Sequence, residues 1–203
     1  MKRLLGMICL LLPLTLWAQE DASVMLERTA EAIRSSQGIK ATFTIQVEDV
    51  ETEGTIYLKG SKFKLETEDV TTWFDGKTQW TLVEPTEEVN ISEPTAEELQ
   101  SINPYAWLSL YKEGYNVKYG GGANEGERSI IMTTSISRLD MQCIVLTINE
   151  RTLAPVRLSM AGRGGSDVAV IFINSYDDKQ HYADEMFTYP AEKYPDGEVV
   201  DLR

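Results

Sequence analysis

The sequence predicts a mainly β fold with some helix (α+β), in which about 11 short antiparallel strands form a sheet that curls or closes. Three observations predict it. Apolar and polar residues alternate strictly over 39–48, an Asp75-Gly76 pair separates two strand-like segments, and strand patterns recur at short spacing on both sides of a helical stretch at 96–112. The expected order is a helix, six strands, two short helices and five or six more strands.

The first 18 residues have the organisation of a secretory signal. Lys2 and Arg3 precede an apolar run at 4–16, and Ala18 supplies a small residue for cleavage. The run is too short to cross a bilayer, and Cys9 lies inside it rather than at its polar end, where lipid would be attached. We therefore expect cleavage after Ala18, leaving a single exported, soluble domain at 19–203.

The charge of the chain argues against two classes of partner, and its cysteine content argues against an intramolecular disulfide. The chain has 19 Lys and Arg against 32 Asp and Glu, a net charge of −13, and loss of Lys2 and Arg3 makes it −15. This acidity disfavours nucleic acid and anionic membrane surfaces as partners. Cys143 would be the remaining cysteine, so no intramolecular disulfide is expected, and its alternation with Met141 and Val145 predicts a buried thiol.

The first predicted element is a helix at 22–36. Asp21 or Ser23 is placed to cap it, and Leu26, Ala30 and Ile33 recur at helical spacing on one face. The predicted strands then follow at 39–47, 55–59, 62–67, 70–74, 77–83 and 88–91, and, beyond the helical stretch, at 115–119, 128–134, 141–148, 154–161, 167–174 and 185–188.

The Asp75-Gly76 pair predicts a hairpin turn, because Asp and Gly tolerate the positive φ angles of tight turns. On the strand after the turn, Trp80 and Leu82 share one face, while Gln79 and Thr81 share the other. Large apolar side chains therefore point to one side of the sheet. Either a dry core or a ligand covers them.

The helical stretch begins at a capping box formed by Thr95 and Glu98 and continues as two predicted helices, 96–102 and 104–112. The second helix is apolar on too many sides for a helix with one face in water. It is either a core helix or a movable cover over a cavity.

Catalytic and metal-binding patterns are missing from the sequence. His181 is the one histidine and has no cysteine or histidine at ligand spacing, and the acidic residues near 177–185 do not match a calcium loop. Gly162-Arg163-Gly164-Gly165 lies between predicted strands, whereas a phosphate-binding loop leads into a helix. We therefore expect no enzyme, no cofactor and no metal.

Several local strings, taken in order, resemble the bacterial outer-membrane lipoprotein carrier protein (LolA) family. They lie at 39–44, 54–59, 74–80, 88–91 and 187–190. The resemblance implies an open β half-barrel with the helices at 96–112 as its lid. It also implies a monomeric periplasmic protein that takes acylated lipoproteins from an inner-membrane ABC release complex to an outer-membrane acceptor. The family's enterobacterial members carry an Arg-Pro latch where this chain has Gly60-Ser61, so that latch is absent.

Alternation within the predicted strands and the second helix gives the residues expected to line an acyl-chain cavity, each of which could instead be packed core. They are Phe43, Ile45, Ile56, Leu58, Phe63, Leu65, Trp80, Leu82, Trp107, Leu108 and Leu110.

Three functions fit the sequence. The first is a carrier for lipoprotein acyl chains. Such chains need a carrier because exposing each methylene to water costs about 0.8 kcal/mol of free energy. The second is a non-catalytic lipid- or lipoprotein-sensing module that regulates a membrane partner. The third, a lipid hydrolase, has no candidate nucleophile to support it.

Overall fold

A computed structural model describes residues 21–95, 98–99, 112, 114–134, 136, 141–162, 169–195 and 197–203. The predicted signal segment at 1–18 lies outside the described residues. So do nearly all residues of the two predicted helices between 96 and 112.

The N-terminal helix, α1, spans Ala22–Arg34. Asp21 caps it by accepting a hydrogen bond from the backbone N–H of Ser23 at 2.9 Å. Leu26, Ala30 and Ile33 are buried as predicted. Ser35 is the C-cap, so the helix ends two residues before the predicted boundary at 36.

Twelve strands form one sheet in the described part of the chain. They are β1 (Ile39–Val47), β2 (Val50–Lys59), β3 (Lys62–Thr67), β4 (Val70–Phe74), β5 (Gln79–Val83), β6 (Glu88–Ser92), β7 (Asn116–Tyr119), β8 (Glu127–Thr133), β9 (Met141–Asn149), β10 (Pro155–Gly162), β11 (Ala169–Asp177) and β12 (Glu198–Asp201).

The strand order is β12-β6-β5-β4-β3-β2-β1-β11-β10-β9-β8-β7, with two free ends, so the sheet is open. β1 lies in the middle and joins the two meanders by pairing with both β2 and β11. Register shifts interrupt the β1–β11 and β10–β9 ladders, and such bulges bend strands and increase their twist. The predicted open, curved half-barrel with an N-terminal helix is confirmed.

The C-terminal segment differs from the prediction. The stretch 185–188, expected to be a strand, is not one: its first three residues belong to a 3₁₀ helix, Asp184–Phe187, in which Phe187 is fully buried. The last strand is instead β12, which pairs in parallel with β6. The stretch at 185–188 lacks strict alternation, so its apolar residues indicated burial without indicating a strand.

The two faces of the sheet carry different cores. We call the face that packs with α1 the inner face and the other the outer face. One large apolar cluster joins α1 to inner-face residues from β1–β4 and β8–β11. A small cluster of Trp73, Leu82 and Val89 lies on the outer face, where Tyr189 and Tyr194 of the C-terminal segment cover it.

Cys143 is free and half-exposed, which corrects the prediction of a buried thiol. It pairs with Thr133 and Ala161 on the outer face of β9. The core positions of this strand are its neighbours Ile144, Leu146 and Ile148, which point inward. Both faces of this strand carry apolar residues, so the sequence alone did not show which face points into the core.

Candidate functional site

An apolar surface covers most of the inner face. One row of directly paired residues crosses five strands, β1, β11, β10, β9 and β8. Its members, in that order, are Ile45, Ile171, Leu158, Leu146 and Ile130. All five belong to the apolar cluster or pack against it. A row of paired residues shares one face of a sheet, so these strands present a continuous hydrocarbon surface.

Six of the predicted cavity residues lie on this inner face. Four of them, Phe43, Ile56, Leu58 and Phe63, are buried, with between 0% and 6% of their surface exposed. Ile45 and Leu65 are only half-buried and pack against the same cluster. The half-buried pair therefore marks where the apolar surface is accessible, whereas the four buried side chains pack as core.

Trp80 and Leu82 lie on the opposite face, which corrects the expectation that one surface carries all eleven residues. Trp80 pairs with Trp73, and Trp73 pairs with Lys64, the neighbour of the inward-facing Phe63. Leu82 is fully buried in the outer cluster with Trp73. The turn lies where it was predicted, but it spans four residues, 75–78, and only Gly76 in it has a positive φ. The Asp75 carboxylate accepts hydrogen bonds from the backbone N–H groups of Lys77 and Thr78 at 2.9 and 2.8 Å.

Trp107, Leu108 and Leu110 lie outside the described residues, but the flanks of their segment are described. The capping box is present: Thr95 N–H donates to Glu98 Oε2 at 2.7 Å and Glu98 N–H donates to Thr95 Oγ1 at 3.3 Å. Leu99 packs against the inner apolar cluster. At the other end, Lys112 Nζ lies 3.1 Å from Glu27 Oε2 of α1. Both flanks therefore contact the helix-bearing side of the sheet.

Gly54 permits a close approach within the inner face. It is paired with Phe43, and a Cβ at Gly54 would collide with the Phe43 ring and lie 2.7 Å from the carbonyl oxygen of Glu66. The absence of a side chain lets the ring lie over β2. Gly54 thus shapes the apolar surface without contributing a side chain to it.

The inner face changes from apolar to polar across β4 and β5. In the row Ala41, Ile56, Leu65, Thr72 and Thr81, the first three residues are apolar and the last two carry hydroxyl groups. The next row changes one strand later, from Phe63 and Phe74 to Gln79 and Ser92. We call Thr72, Gln79, Thr81 and Asn90 the polar strip.

Sequence reasoning missed the polar strip as a candidate site. The available signal was the alternation in β5, where Gln79 and Thr81 occupy the face opposite Trp80 and Leu82. Thr72 and Gln79 are 5% and 9% exposed, so these polar side chains are buried. Burial of polar groups is unfavourable unless they find partners, which makes such positions informative.

A cavity of about 720 Å³ lies at the ends of β2 and β3 and has acidic walls. Its lining residues are Glu51, Thr52, Glu53, Gly54, Glu66, Thr67, Glu68 and Asp69. Carboxylates of one sign repel each other and anionic ligands, and they offer no surface for a hydrocarbon chain. This cavity is therefore distinct in chemistry from the apolar inner face.

Two groups on the outer face have shifted pKa values. Burial and the charge of nearby Glu66 raise the pKa of Tyr57 to about 12. Hydrogen bonds from Lys59 and Lys62 lower the pKa of Asp184 to about 2. At neutral pH Tyr57 is thus a neutral phenol and Asp184 a carboxylate held by two cations.

Within the described ranges, no three His, Cys, Asp or Glu side chains are grouped so that they could hold a metal ion. His181 is exposed. The same ranges contain no helix with the length and hydropathy needed to cross a bilayer.

Comparison with known proteins agrees with this architecture. A family model described as outer membrane lipoprotein carrier protein LolA matches residues 14–165. No curated protein matches the sequence. Among solved structures, an uncharacterised conserved protein from Thermus thermophilus shares 15% identity at a TM-score of 0.64, over 89% of this chain and 98% of that one.

Two further structures are similar. MucB has 16% identity and a TM-score of 0.52 over 86% of this chain, which spans only 65% of the MucB chain. A LolA superfamily protein from Nitrosomonas europaea has 12% identity and a TM-score of 0.44 over 84% of this chain and 99% of that one. At 15% and 16% identity, the similarities to the Thermus thermophilus protein and to MucB show the fold alone.

Proposed function

Since this chain belongs to the outer membrane lipoprotein carrier protein LolA family, we propose that it binds the acyl chains of lipoproteins on its inner face and carries them across the periplasm. In this proposal it receives acylated lipoproteins from an inner-membrane ABC release complex and delivers them to an outer-membrane acceptor. It acts as a binding protein without catalysis, and the segment 1–18 directs its export.

The observation that supports this function is the continuous apolar inner face with half-buried side chains on it. Ile45 and Leu65 are adjacent to fully packed neighbours, yet they keep part of their surface accessible. Covering such a surface with an acyl chain is favourable by roughly 25 cal/mol per Å² of apolar area. A partly exposed surface of this kind binds hydrocarbon without the rigid complementarity that would trap it.

The proposed cover of this surface is the apolar helix predicted from the sequence at 104–112. Trp107, Leu108 and Leu110 are its proposed contacts with the acyl chain. The proposal is supported by the described flanks, because Leu99 packs on the inner cluster and Lys112 pairs with Glu27 of α1. A chain that starts and ends on one side of the sheet is well placed to cover that side.

The turn that replaces the family's Arg-Pro latch has its own structure. Gly60 has a φ of 58°, a conformation that favours glycine, and no neighbouring atom is within 4 Å of where its Cβ would lie. Beside this turn, Lys59 and Lys62 both bind Asp184. We propose that closure of the cover here relies on apolar contacts and on the pair between Glu27 and Lys112.

Binding of an acylated peptide to matched variants tests the proposal. Ile45→Ser removes a half-buried isoleucine from the inner face, and Ile131→Ser removes a half-buried isoleucine from the outer face, where Ile131 pairs with Val145. We expect Ile45→Ser to weaken binding of a palmitoylated peptide at least fivefold and Ile131→Ser to change it less than twofold. Equal effects of both variants, or no binding by the wild type, would contradict the proposal.

Native mass spectrometry of the protein isolated from its own periplasm provides an independent test. A carrier should retain acylated species, and adding acceptor membranes should release them. A protein that is empty in every preparation and has no affinity for acylated peptides is not a carrier.

The alternative is a sensing module that uses the same inner face to detect lipid or lipoprotein and regulates a membrane partner. The structural neighbour MucB has been solved in a complex with MucA. The two functions differ in a transfer assay. A carrier moves a labelled lipoprotein from donor to acceptor membranes, whereas a sensor binds it, retains a stable protein partner and transfers nothing.

A further inference from the structure

The polar strip contains a buried hydrogen-bonding atom that has no partner. Gln79 is 9% exposed, and its Oε1 forms no hydrogen bond. Its Nε2 donates to Thr81 Oγ1 at 3.2 Å, and that hydroxyl lies 3.4 Å from Thr72 Oγ1. The Gln79 amide is thus anchored to Thr81 through its Nε2, and its Oε1 is the acceptor left without a donor. A buried acceptor without a donor is unfavourable, and a bound donor would relieve that cost.

The strip continues directly from the apolar surface. Leu65 on β3 is paired with Thr72 on β4, and Phe63 is paired with Phe74, which is paired with Gln79. Adjacent strands lie about 4.8 Å apart, so the change from hydrocarbon to hydrogen-bonding groups occurs over one or two strands. A ligand that covered both regions would need an apolar part joined to a polar part.

The polar part must be neutral and must supply a hydrogen-bond donor. The inner-facing side chains of the described strands β4–β6 include one carboxylate, Glu88, and no cation. Glu88 Oε1 already accepts a hydrogen bond from Asn90 Nδ2 at 2.7 Å. A phosphate headgroup would find no counter-charge here, whereas a peptide amide N–H is neutral and donates.

We propose that the polar strip is the subsite for the peptide end of an acylated peptide, with Gln79 Oε1 accepting a hydrogen bond from an amide N–H close to the acylated residue. This inference rests on the proposed acyl-chain binding and adds a site for the part of the ligand that is not hydrocarbon. The acyl chain lies over β1–β3, and the peptide leaves across β4–β6. The strip thereby distinguishes a lipoprotein from a membrane lipid with the same tails.

Two ligands with equal tails and one isosteric variant test the assignment. The ligands are a diacylglyceryl-cysteine pentapeptide and diacylglycerol, which lacks the peptide amides. Gln79→Met keeps the length of the side chain and removes the amide. We expect it to weaken binding of the acylated peptide about tenfold and to change binding of diacylglycerol less than twofold. Thr81→Val, which releases the Gln79 amide from its anchor, should weaken peptide binding about threefold.

The matched control is Thr147→Val, because Thr147 is a buried threonine on the outer face that pairs with Ser129 Oγ at 3.3 Å. It should leave both affinities unchanged. Equal loss of both ligands in Gln79→Met and Thr81→Val, or no loss in either, would overturn the subsite. A wild type that binds phosphatidylglycerol better than the acylated peptide would also overturn it. If the wild type binds neither diacyl ligand, acyl-chain binding itself fails, and the two failures are thus separate.

Discussion

The aromatic ring of Phe43 lies over the backbone of Gly54 on the neighbouring strand, and the two residues are directly paired between β1 and β2. A Cβ at Gly54 would meet both the Phe43 ring and the backbone carbonyl oxygen of Glu66. Neither neighbour is the end of a flexible chain. Position 54 is therefore one of the places where the inner face accepts no side chain.

Gly54→Ala should destabilise the protein by about 1–3 kcal/mol, since the new methyl group overpacks a filled site. The measurement is the free energy of unfolding in urea. Gly121→Ala is the control, because no atom lies within 4 Å of a Cβ at that position. Phe43→Leu should recover part of the loss in the double variant. Equal stability of the Gly54 and Gly121 variants would contradict the packing.

The β4–β5 turn offers a second prediction. Asp75 accepts two backbone hydrogen bonds, from Lys77 and Thr78, and Gly76 has a φ of 103°. Asp75→Ala leaves both N–H groups without that acceptor and should lower the free energy of unfolding by about 1–2 kcal/mol. Asp75→Asn keeps one acceptor oxygen and should lose less.

The comparison for Asp75 is Asp49→Ala in the exposed β1–β2 turn. If both alanine variants unfold at the same urea concentration, the side chain of Asp75 is not what stabilises its turn. An Asp75→Asn variant as unstable as Asp75→Ala would likewise argue against the acceptor role.

Strong alternation and turn chemistry made much of the fold predictable. The structure has β1 at 39–47, β3 at 62–67 and β4 at 70–74, as the pattern predicts. At β1 the buried and polar residues alternate because one face packs with α1 and the other does not. Local patterns of this kind are readable because they depend on the strand alone.

The relation between strands was less predictable. Alternation shows that Trp80 and Leu82 share a face, but which face depends on the register set by the turns before them. That register pairs Trp80 with Trp73, so both point away from Phe63 and Phe74. The same reason hid the polar strip, since Gln79 could be assigned to the inner face only once the pairing was known.

β12 could not be predicted from local pattern either. Its four residues, Glu198–Asp201, have little alternation and mostly exposed side chains. The strand forms because the edge of β6 provides backbone partners in parallel. Pairing with an existing edge is a tertiary effect that the pattern of a short segment does not indicate.

The outer aromatic cluster provides a third prediction. Trp73 is 2% exposed, and its ring meets two tyrosine rings edge-on. The distance between ring centroids is 5.5 Å to Tyr189 and 6.2 Å to Tyr194. Tyr189→Ala should lower the free energy of unfolding by about 1–3 kcal/mol because it removes an aromatic pair and its apolar contact. It should also expose the segment after residue 177 to limited proteolysis.

Acyl-peptide binding distinguishes this cluster from the inner face. Because Trp73 and Tyr189 pack on the outer face, folded Tyr189→Ala should bind a palmitoylated peptide within twofold of the wild type. Phe172→Ala, which removes an aromatic ring that is 37% exposed, serves as the control for proteolysis. A large loss of binding in folded Tyr189→Ala would mean that the outer face takes part in binding.

The pair of lysines on Asp184 predicts how stability depends on pH. Lys59 and Lys62 each place Nζ at 2.7 Å from a different oxygen of the carboxylate and lower its pKa from 3.8 to about 2. A carboxyl whose pKa is lower in the folded state stabilises the fold above its unfolded pKa, and the contribution disappears as pH falls through the folded one. The difference in melting temperature between wild type and Asp184→Asn should therefore be constant from pH 7 to about 5 and should shrink between about pH 4 and pH 2. It should also shrink in 1 M NaCl because the pair is exposed to solvent.

Glu185→Gln, at the next exposed position, is the control. A difference that persists undiminished at pH 2 would show that the carboxylate charge is not what holds the C-terminal segment to β2 and β3.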